Sequence, residues 1–367
     1  MEQLITNFTV SARFHESVQL FIFILLAIIF VLLLMLWVIH INIGIRSRKK
    51  KRLVINIGKA IKSASSQRAK DESLKNFIKN NKNIFTRRGL ATLSEVLTYM
   101  NTKDRKKLRD LLIKTDCAEH LAKQLKTDNE DYMAEIVRLA VELNLVDLID
   151  EIKHVMVAHK DNINVQYEAF LALSKLGSYD SIVNICATDD FSITLTFRSL
   201  LEIISAYSGD KTVLYKALLK SSDAYVVRIC VKLIGSEKRK NLAPDIEEFL
   251  DSDKISLKMD TMRALSALRY RKSLDKFAMM MKSDSWEVRS IAVKALATID
   301  AETYVDELIL ALQDPEWQVR YNAGSALSKL KDREDEIYDK IVESGDKFAK
   351  EMYESFKQMA NIGRANA

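Results

Sequence analysis

The chain has 367 residues with only 9 glycines and 3 cysteines, so neither a phosphate-cradling glycine loop nor a disulfide framework is present. Lysine plus arginine number 56 against 50 aspartate plus glutamate, a net charge of +6 that is very unevenly placed. Residues 46–88 hold 15 basic and 2 acidic side chains, and the remainder of the chain is net acidic.

Residues 1–18 form a short segment with only Arg13 to set against Glu2 and Glu16. From Leu20 to Ile39 about 20 apolar residues follow without interruption. At about 1.5 Å per helical residue that run reaches across a hydrocarbon core of roughly 30 Å. It is apolar on every face, unlike an amphipathic core helix, and predicts one membrane span over residues 19–45. The run exceeds the usual signal-peptide core, and no small-x-small cleavage pattern follows it. Arg46, Arg48, Lys49, Lys50, Lys51 and Arg52 come directly after, so the positive-inside bias places the N-terminus outside and the C-terminal bulk in the cytoplasm. A bacterial cytoplasmic membrane is the expected location, with Trp37 as an interfacial anchor. The Asn7-Phe8-Thr9 glycosylation pattern is too short to carry weight.

Residues 46–73 read as a basic juxtamembrane linker. Orienting the span already explains Arg46 to Arg52, yet the same cluster suits anionic lipid headgroups at about 1 kcal/mol per residue near the surface. Leu53, Ile57 and Ile61 would form the apolar stripe of a helix lying on the bilayer. Residues 74–127 follow as an N-terminal helical cap and first degenerate repeat, with Phe77, Ile78, Ile84, Phe85, Leu90, Leu93 and Leu97 spaced for amphipathic helices.

Residues 128–332 repeat at 30 to 32 residues. A basic residue recurs at Arg198, Arg228, Lys258, Arg289 and Arg320, preceded by Phe197, Val227, Leu257, Val288 and Val319. Three residues after it stand Leu201, Val231, Thr261, Ala292 and Ala323, and three further on Ile204, Ile234, Ala264, Ala295 and Ala326. Those spacings mark one face of a helix. Ser192, Ser222, Ser252, Ser283 and Asp314 are placed to cap these helices, and Pro315 suits a first helical position. A second apolar period lies upstream of each, as in Val305, Leu308 and Leu312, so the unit is a helix pair and about seven are expected. Residues 333–367 leave the motif and read as C-terminal capping helices.

These residues resemble the HEAT repeat family in its short, phycobilisome lyase-type form. The matching segments are Trp286-Glu287-Val288-Arg289 with Ala292, Ala295 and Leu296, and Asp314 through Arg320 with Ala323, Ala326 and Leu327. The resemblance implies an all-α fold, an α/α superhelical solenoid, which here would follow the single transmembrane helix read from the apolar run. It also implies first helices outside, second helices inside, and the recurrent arginine paired with acids of a neighbouring repeat. Thr261 stands where the motif has a small alanine, and Gly235 where it has leucine.

Catalytic patterns are missing from the sequence. His15, His40, His120, His154 and His159 fall in no metalloprotease or nucleophile motif. Cys117 and His120 could share a helical face as half of a metal site, but no second pair lies near. His154 and His159 are poorly spaced for one ion, and Cys117, Cys186 and Cys230 read as reduced thiols. No cofactor, metal or enzymatic activity is expected. The alternatives are a lyase-like enzyme on this scaffold, which would need a cofactor pocket, and a membrane-proximal nucleic-acid binder, which would need a continuous basic stripe on the second helices.

The expected function is that of a membrane-anchored scaffold or adaptor docking a protein partner. By analogy with membrane-tethered proteins of this type it would be an accessory subunit of a membrane enzyme such as an envelope glycosyltransferase. Leu195, Tyr225, Ile255, Trp286 and Trp317 occupy equivalent first-turn positions and form a ladder. Tyr225, Arg228, Trp286, Arg289, Trp317, Arg320 and Tyr321 are the candidate protein-binding residues, being types that dominate interfaces. Packing between repeats is the competing use for them, as core filling is for Met279, Met280 and Met281.

Overall fold

A computed structural model describes residues 25–45, isolated positions between 47 and 59, and residues 85–365 apart from 99, 114–116, 128 and 188–194. Among the described residues every regular element is a helix. Two compact units divide the chain, residues 1–124 and 125–367.

In the first unit, α1 (Leu25–Ile45) is 21 residues long and exposed throughout, and it is long and apolar enough to cross a membrane. The segment Asn7 to Thr9 and the stripe Leu53, Ile57 and Ile61 lie outside the described residues, as do Phe77, Ile78 and Ile84. Helices α2 (Arg87–Thr98), α3 (Thr102–Ile113) and α4 (Cys117–Gln124) follow. Leu90, Leu93, Leu97, Leu108 and Leu121 supply their buried face. Asn101 accepts from the Asp104 amide at 2.8 Å to start α3, and Arg105 donates to the Leu97 carbonyl at 2.8 Å to close α2.

The second unit is a row of helix pairs. In chain order they are α5 (Glu130–Glu142), α6 (Ile149–Ala158), α7 (Ile163–Lys175), α8 (Tyr179–Ala187), α9 (Phe197–Ser205), α10 (Lys211–Leu218) and α11 (Ala224–Ser236). Then come α12 (Ala243–Glu247), α13 (Ile255–Leu268), α14 (Leu274–Met280), α15 (Trp286–Asp300), α16 (Val305–Ala311), α17 (Trp317–Leu327), α18 (Glu334–Glu343) and α19 (Lys347–Ala365). Odd-numbered helices from α5 to α19 each pack on the next odd-numbered one, and the even-numbered helices pack beside them. That is the arrangement of a solenoid.

The sequence columns become the core of this row. Val227, Leu257, Val288 and Val319 are buried, as are Val231, Thr261, Ala292 and Ala323 and, one turn on, Ile234, Ala264, Ala295 and Ala326. Gly235 replaces leucine because α11 and α13 nearly touch: a Cβ there would lie 2.7 Å from the Ala264 Cα. Four of the second helices end alike, with Asn144, Gly177, Lys238 and Arg269 at positive φ. The amides that follow bond back to Ala140, Leu173, Ile234 and Leu265, at 2.9, 2.9, 3.0 and 3.0 Å. This is the six-residue closure of a left-handed helix stop, which turns the chain into the next pair.

Helix starts differ from the sequence reading. The caps are Thr196, Asp223 and Ser285, whose side chains accept from the amides of Ser199, Tyr225 and Val288, while Lys254 and Glu316 begin α13 and α17 without a side-chain bond. Ser252, Ser283 and Asp314 instead accept from the amide two residues on, at 3.2, 3.3 and 2.9 Å, and so shape the turn before the helix. In the α11 repeat Ser221 rather than Ser222 plays this part, and Ser192 lies outside the described residues. Pro315 consequently precedes the cap instead of opening the helix.

Candidate protein-docking face

The first turns of the second helices carry a row of large apolar side chains that face solvent. Ile163, Tyr225, Ile255, Trp286 and Trp317 are 55, 41, 52, 40 and 54% exposed, whereas Leu195 is half-buried and precedes the Thr196 cap of α9 instead of standing in its first turn. The row continues to Phe348 in the first turn of α19, 65% exposed. From Ile163 to Phe348 successive members are 30 to 32 residues apart. Sequence reading found the middle five. Ile163 and Phe348 escaped it because Gln166 and Glu351 replace the basic residue three positions on.

Aromatic contacts stiffen two parts of the row. Tyr225 meets Phe197 edge to face at 5.1 Å, and Tyr321 bridges Trp317 at 4.9 Å and Phe356 at 4.8 Å. The arginines divide by use. Arg289 is 14% exposed and spends its donors inside the solenoid: two bonds to Asp314 at 2.7 and 2.9 Å, and two to the carbonyls of Ser283 and Asp284. Arg320 likewise donates to the carbonyls of Asp314 and Pro315 and lies over the Phe348 ring. These two hold the turn between paired helices, and in the degenerate α7 repeat the buried Gln166 does so by donating to the carbonyls of Met156 and His159.

Arg228 belongs to a different cluster. With Lys232 and Arg263 it surrounds the Asp260 carboxylate, at 3.0, 3.4 and 3.1 Å, and Arg228 and Lys232 both lie over the Phe197 ring. Asp260 itself is a missed residue. An aspartate on the buried side of a second helix, at the position where α11 has Cys230 and α15 has Ile291, was its only signal. Other bonds tie one second helix to the next at the same interval, such as Arg138 to Glu168 at 2.6 Å and Asn322 to Ser290 at 2.8 Å.

Of the remaining site candidates, Arg48, Lys51 and Arg52 are exposed, while Arg46, Lys49 and Lys50 lie outside the described residues. His120 stacks on Phe85 at 4.7 Å, His159 faces Glu130 at 3.5 Å, and His154 is exposed. Among the described residues no group of three or more His, Cys, Asp or Glu side chains could hold a metal ion. Burial pushes the Cys117 and Cys186 thiols up to about 12 and that of Cys230 well above its ordinary value. Met279 projects from α14 into solvent rather than filling the core.

Two overlapping stretches, residues 212–297 and 277–339, match the family model for HEAT repeats. Residues 212–339 are HEAT repeats. No curated protein sequence matches the chain. Among solved structures, an engineered protein shares 14% identity at a TM-score of 0.40, over 83% of this chain and 98% of that one. A structure of Kap95p with RanGDP shares 12% identity at a TM-score of 0.38, over 79% of this chain and 52% of that one. In this HEAT solenoid the bonds from Arg228 to Asp260 and from Arg289 to Asp314 are the inter-repeat pairing that the recurrent basic residue implied.

Proposed function

We propose that this chain is a membrane-anchored HEAT scaffold whose first-turn ladder docks a protein partner held at the bilayer. The observation that carries this reading is the row from Ile163 to Phe348, exposed at every member but the half-buried Leu195, which repeats with the fold instead of being buried by it. Isolated exposed apolar residues are ordinary, whereas a row at repeat spacing offers one extended contact line. Tyr225, Trp286, Trp317 and Tyr321 are its aromatic anchors, and the deep use of Arg289 and Arg320 makes them supports for Trp286 and Trp317 rather than contacts. Helix α1 serves as the anchor, with Arg46 to Arg52 against anionic headgroups on the cytoplasmic side. Anchoring confines a bound membrane protein, or a protein recruited to one, at high effective concentration. The role is contact, and no step of chemistry is assigned to the chain.

The test is crosslinking of the full chain in native membranes, comparing wild type with Trp286→Ala plus Trp317→Ala. Loss of the crosslinked client by about tenfold or more, with the helical circular dichroism unchanged, is the expected result. Retention of the client by a folded double variant places docking elsewhere.

A further inference from the structure

A second row of side chains runs beside the apolar one on three helices. Lys232, Arg263 and Lys294 follow one another at intervals of 31 residues on α11, α13 and α15. They lie seven, eight and eight residues beyond Tyr225, Ile255 and Trp286, about two turns and a displacement of about 11–12 Å along each helix. Around Asp260, whose side chain is 2% exposed, one carboxylate faces the three cations Arg228, Lys232 and Arg263. The cluster therefore keeps an excess of two positive charges, and the exposed Lys294 adds a third. On the other flank of the ladder, two residues before each rung, stand the exposed acids Asp223, Asp253 and Asp284. The row ends on α9, where the position equivalent to Lys232 is the exposed acid Glu202, 30 residues earlier like Arg198 and Arg228, and on α17, where the position after Lys294 is the uncharged Ser325.

We propose that these rows dock an amphipathic helix of the partner protein, one that carries an apolar stripe flanked by an acidic one. This inference rests on the docking reading above and names the chemistry of the occupant. Unneutralised positive charge beside an apolar row calls for carboxylates beside apolar side chains, and Asp223, Asp253 and Asp284 repel that acidic stripe from the wrong flank. The dimensions select a helix. Seven residues of helix advance about 10.5 Å, close to the 8–10 Å between packed solenoid helices, so an apolar residue at each seventh position meets each rung in turn. Two residues of a strand advance only about 7 Å and fall out of step with the rungs. A helix about 10 Å wide also reaches both rows. Its stripe drifts by about 20° per heptad, which suits three rungs and not the full ladder.

A photocrosslinking residue placed at Ile255 in the full chain, in native membranes, tests this, with the same residue at exposed Met279 on α14 as the control position. The expected product maps to a protein segment of about three heptads with acidic residues along one side of its apolar positions. Lys294→Glu, which leaves the Asp260 cluster untouched, should lower the yield roughly fivefold at low salt, while Lys294→Arg should keep it. A crosslinked segment that is basic or lacks the repeat, or a yield indifferent to Lys294→Glu, overturns the acidic-helix inference and leaves the docking reading standing. Nuclease-sensitive material at position 255 overturns it in favour of a polyanion. If position 255 yields no more protein product than position 279, both readings fall.

Discussion

Gly235 shows how a single position can depart from the repeat for a reason in its neighbour. Leu265, Leu296 and Leu327 fill the equivalent sites, but the Ala264 backbone stands where the first side-chain carbon of residue 235 would be. Backbone cannot swing aside as a flexible side chain can, so Gly235→Ala should push α11 from α13 and destabilise the protein by about 1–3 kcal/mol, read from urea unfolding of the full chain. Asp314 supplies a pH-dependent counterpart. Burial favours its neutral form, yet the hydrogen bond from Arg289, the Glu316 amide and the charges of Arg289 and Arg320 outweigh burial and hold its carboxyl below the ordinary value. A carboxyl more acidic in the folded chain contributes stability that is complete well above pH 4 and is lost as pH falls through the folded value. Asp314→Asn should therefore be less stable than wild type at pH 7, and the gap should narrow below about pH 4. A gap of constant size across that range would show that the carboxylate charge is not what links these repeats.

At the level of elements, the left-handed stops decide where one pair ends and the next begins. Gly177 meets this demand without strain, while Lys238 and Arg269 take positive φ with a full side chain. Arg269 is exposed, so Arg269→Gly should raise stability by about 0.5–1 kcal/mol, with a matching rise in the thermal midpoint and no change in helical content. Of the four stops only Gly177 is a glycine, which is why the pairs were legible in the sequence and most of their joints were not. The second helices were legible because the burial of Val288, Ala292 and Ala295 imposes a helical period that propensity alone does not. Their starts were not: Ser283 and Asp314 are cap-type residues, and whether such a side chain reaches the helix or the turn before it depends on a shift of two residues. The middle of the ladder could be read from the motif. Its ends, Ile163 and Phe348, could not, since Gln166 and Glu351 stand where the basic residue marks the other rungs. Arg289 and Arg320 point the same way, because the types that favour interfaces also suit the carbonyls at a helix end.

For the molecule as a whole, the two units carry different physical problems. Residues 125–367 bury their apolar columns between neighbouring pairs, and each pair depends on the next, with α18 and α19 closing the row over Val319, Ala323 and Leu327. α1 buries nothing within the described structure, and its exposed leucines, isoleucines and phenylalanine need some other apolar environment. In the proposed anchoring a bilayer would meet that need over the length of the helix, and the basic residues after it would meet the headgroups. The full chain should accordingly stay with the membrane pellet through alkaline carbonate and high-salt washes and come out only with detergent. Residues 125–367 expressed alone should be soluble and helical and should unfold in a single transition. Salt wash discriminates the two attachments, since about 1 M salt shortens the screening length to roughly 3 Å and would release a protein held by Arg48, Lys51 and Arg52 alone. Release of the intact chain by salt would remove α1 from the proposed role of anchor and leave the proposed docking face tied to the membrane through surface charge alone.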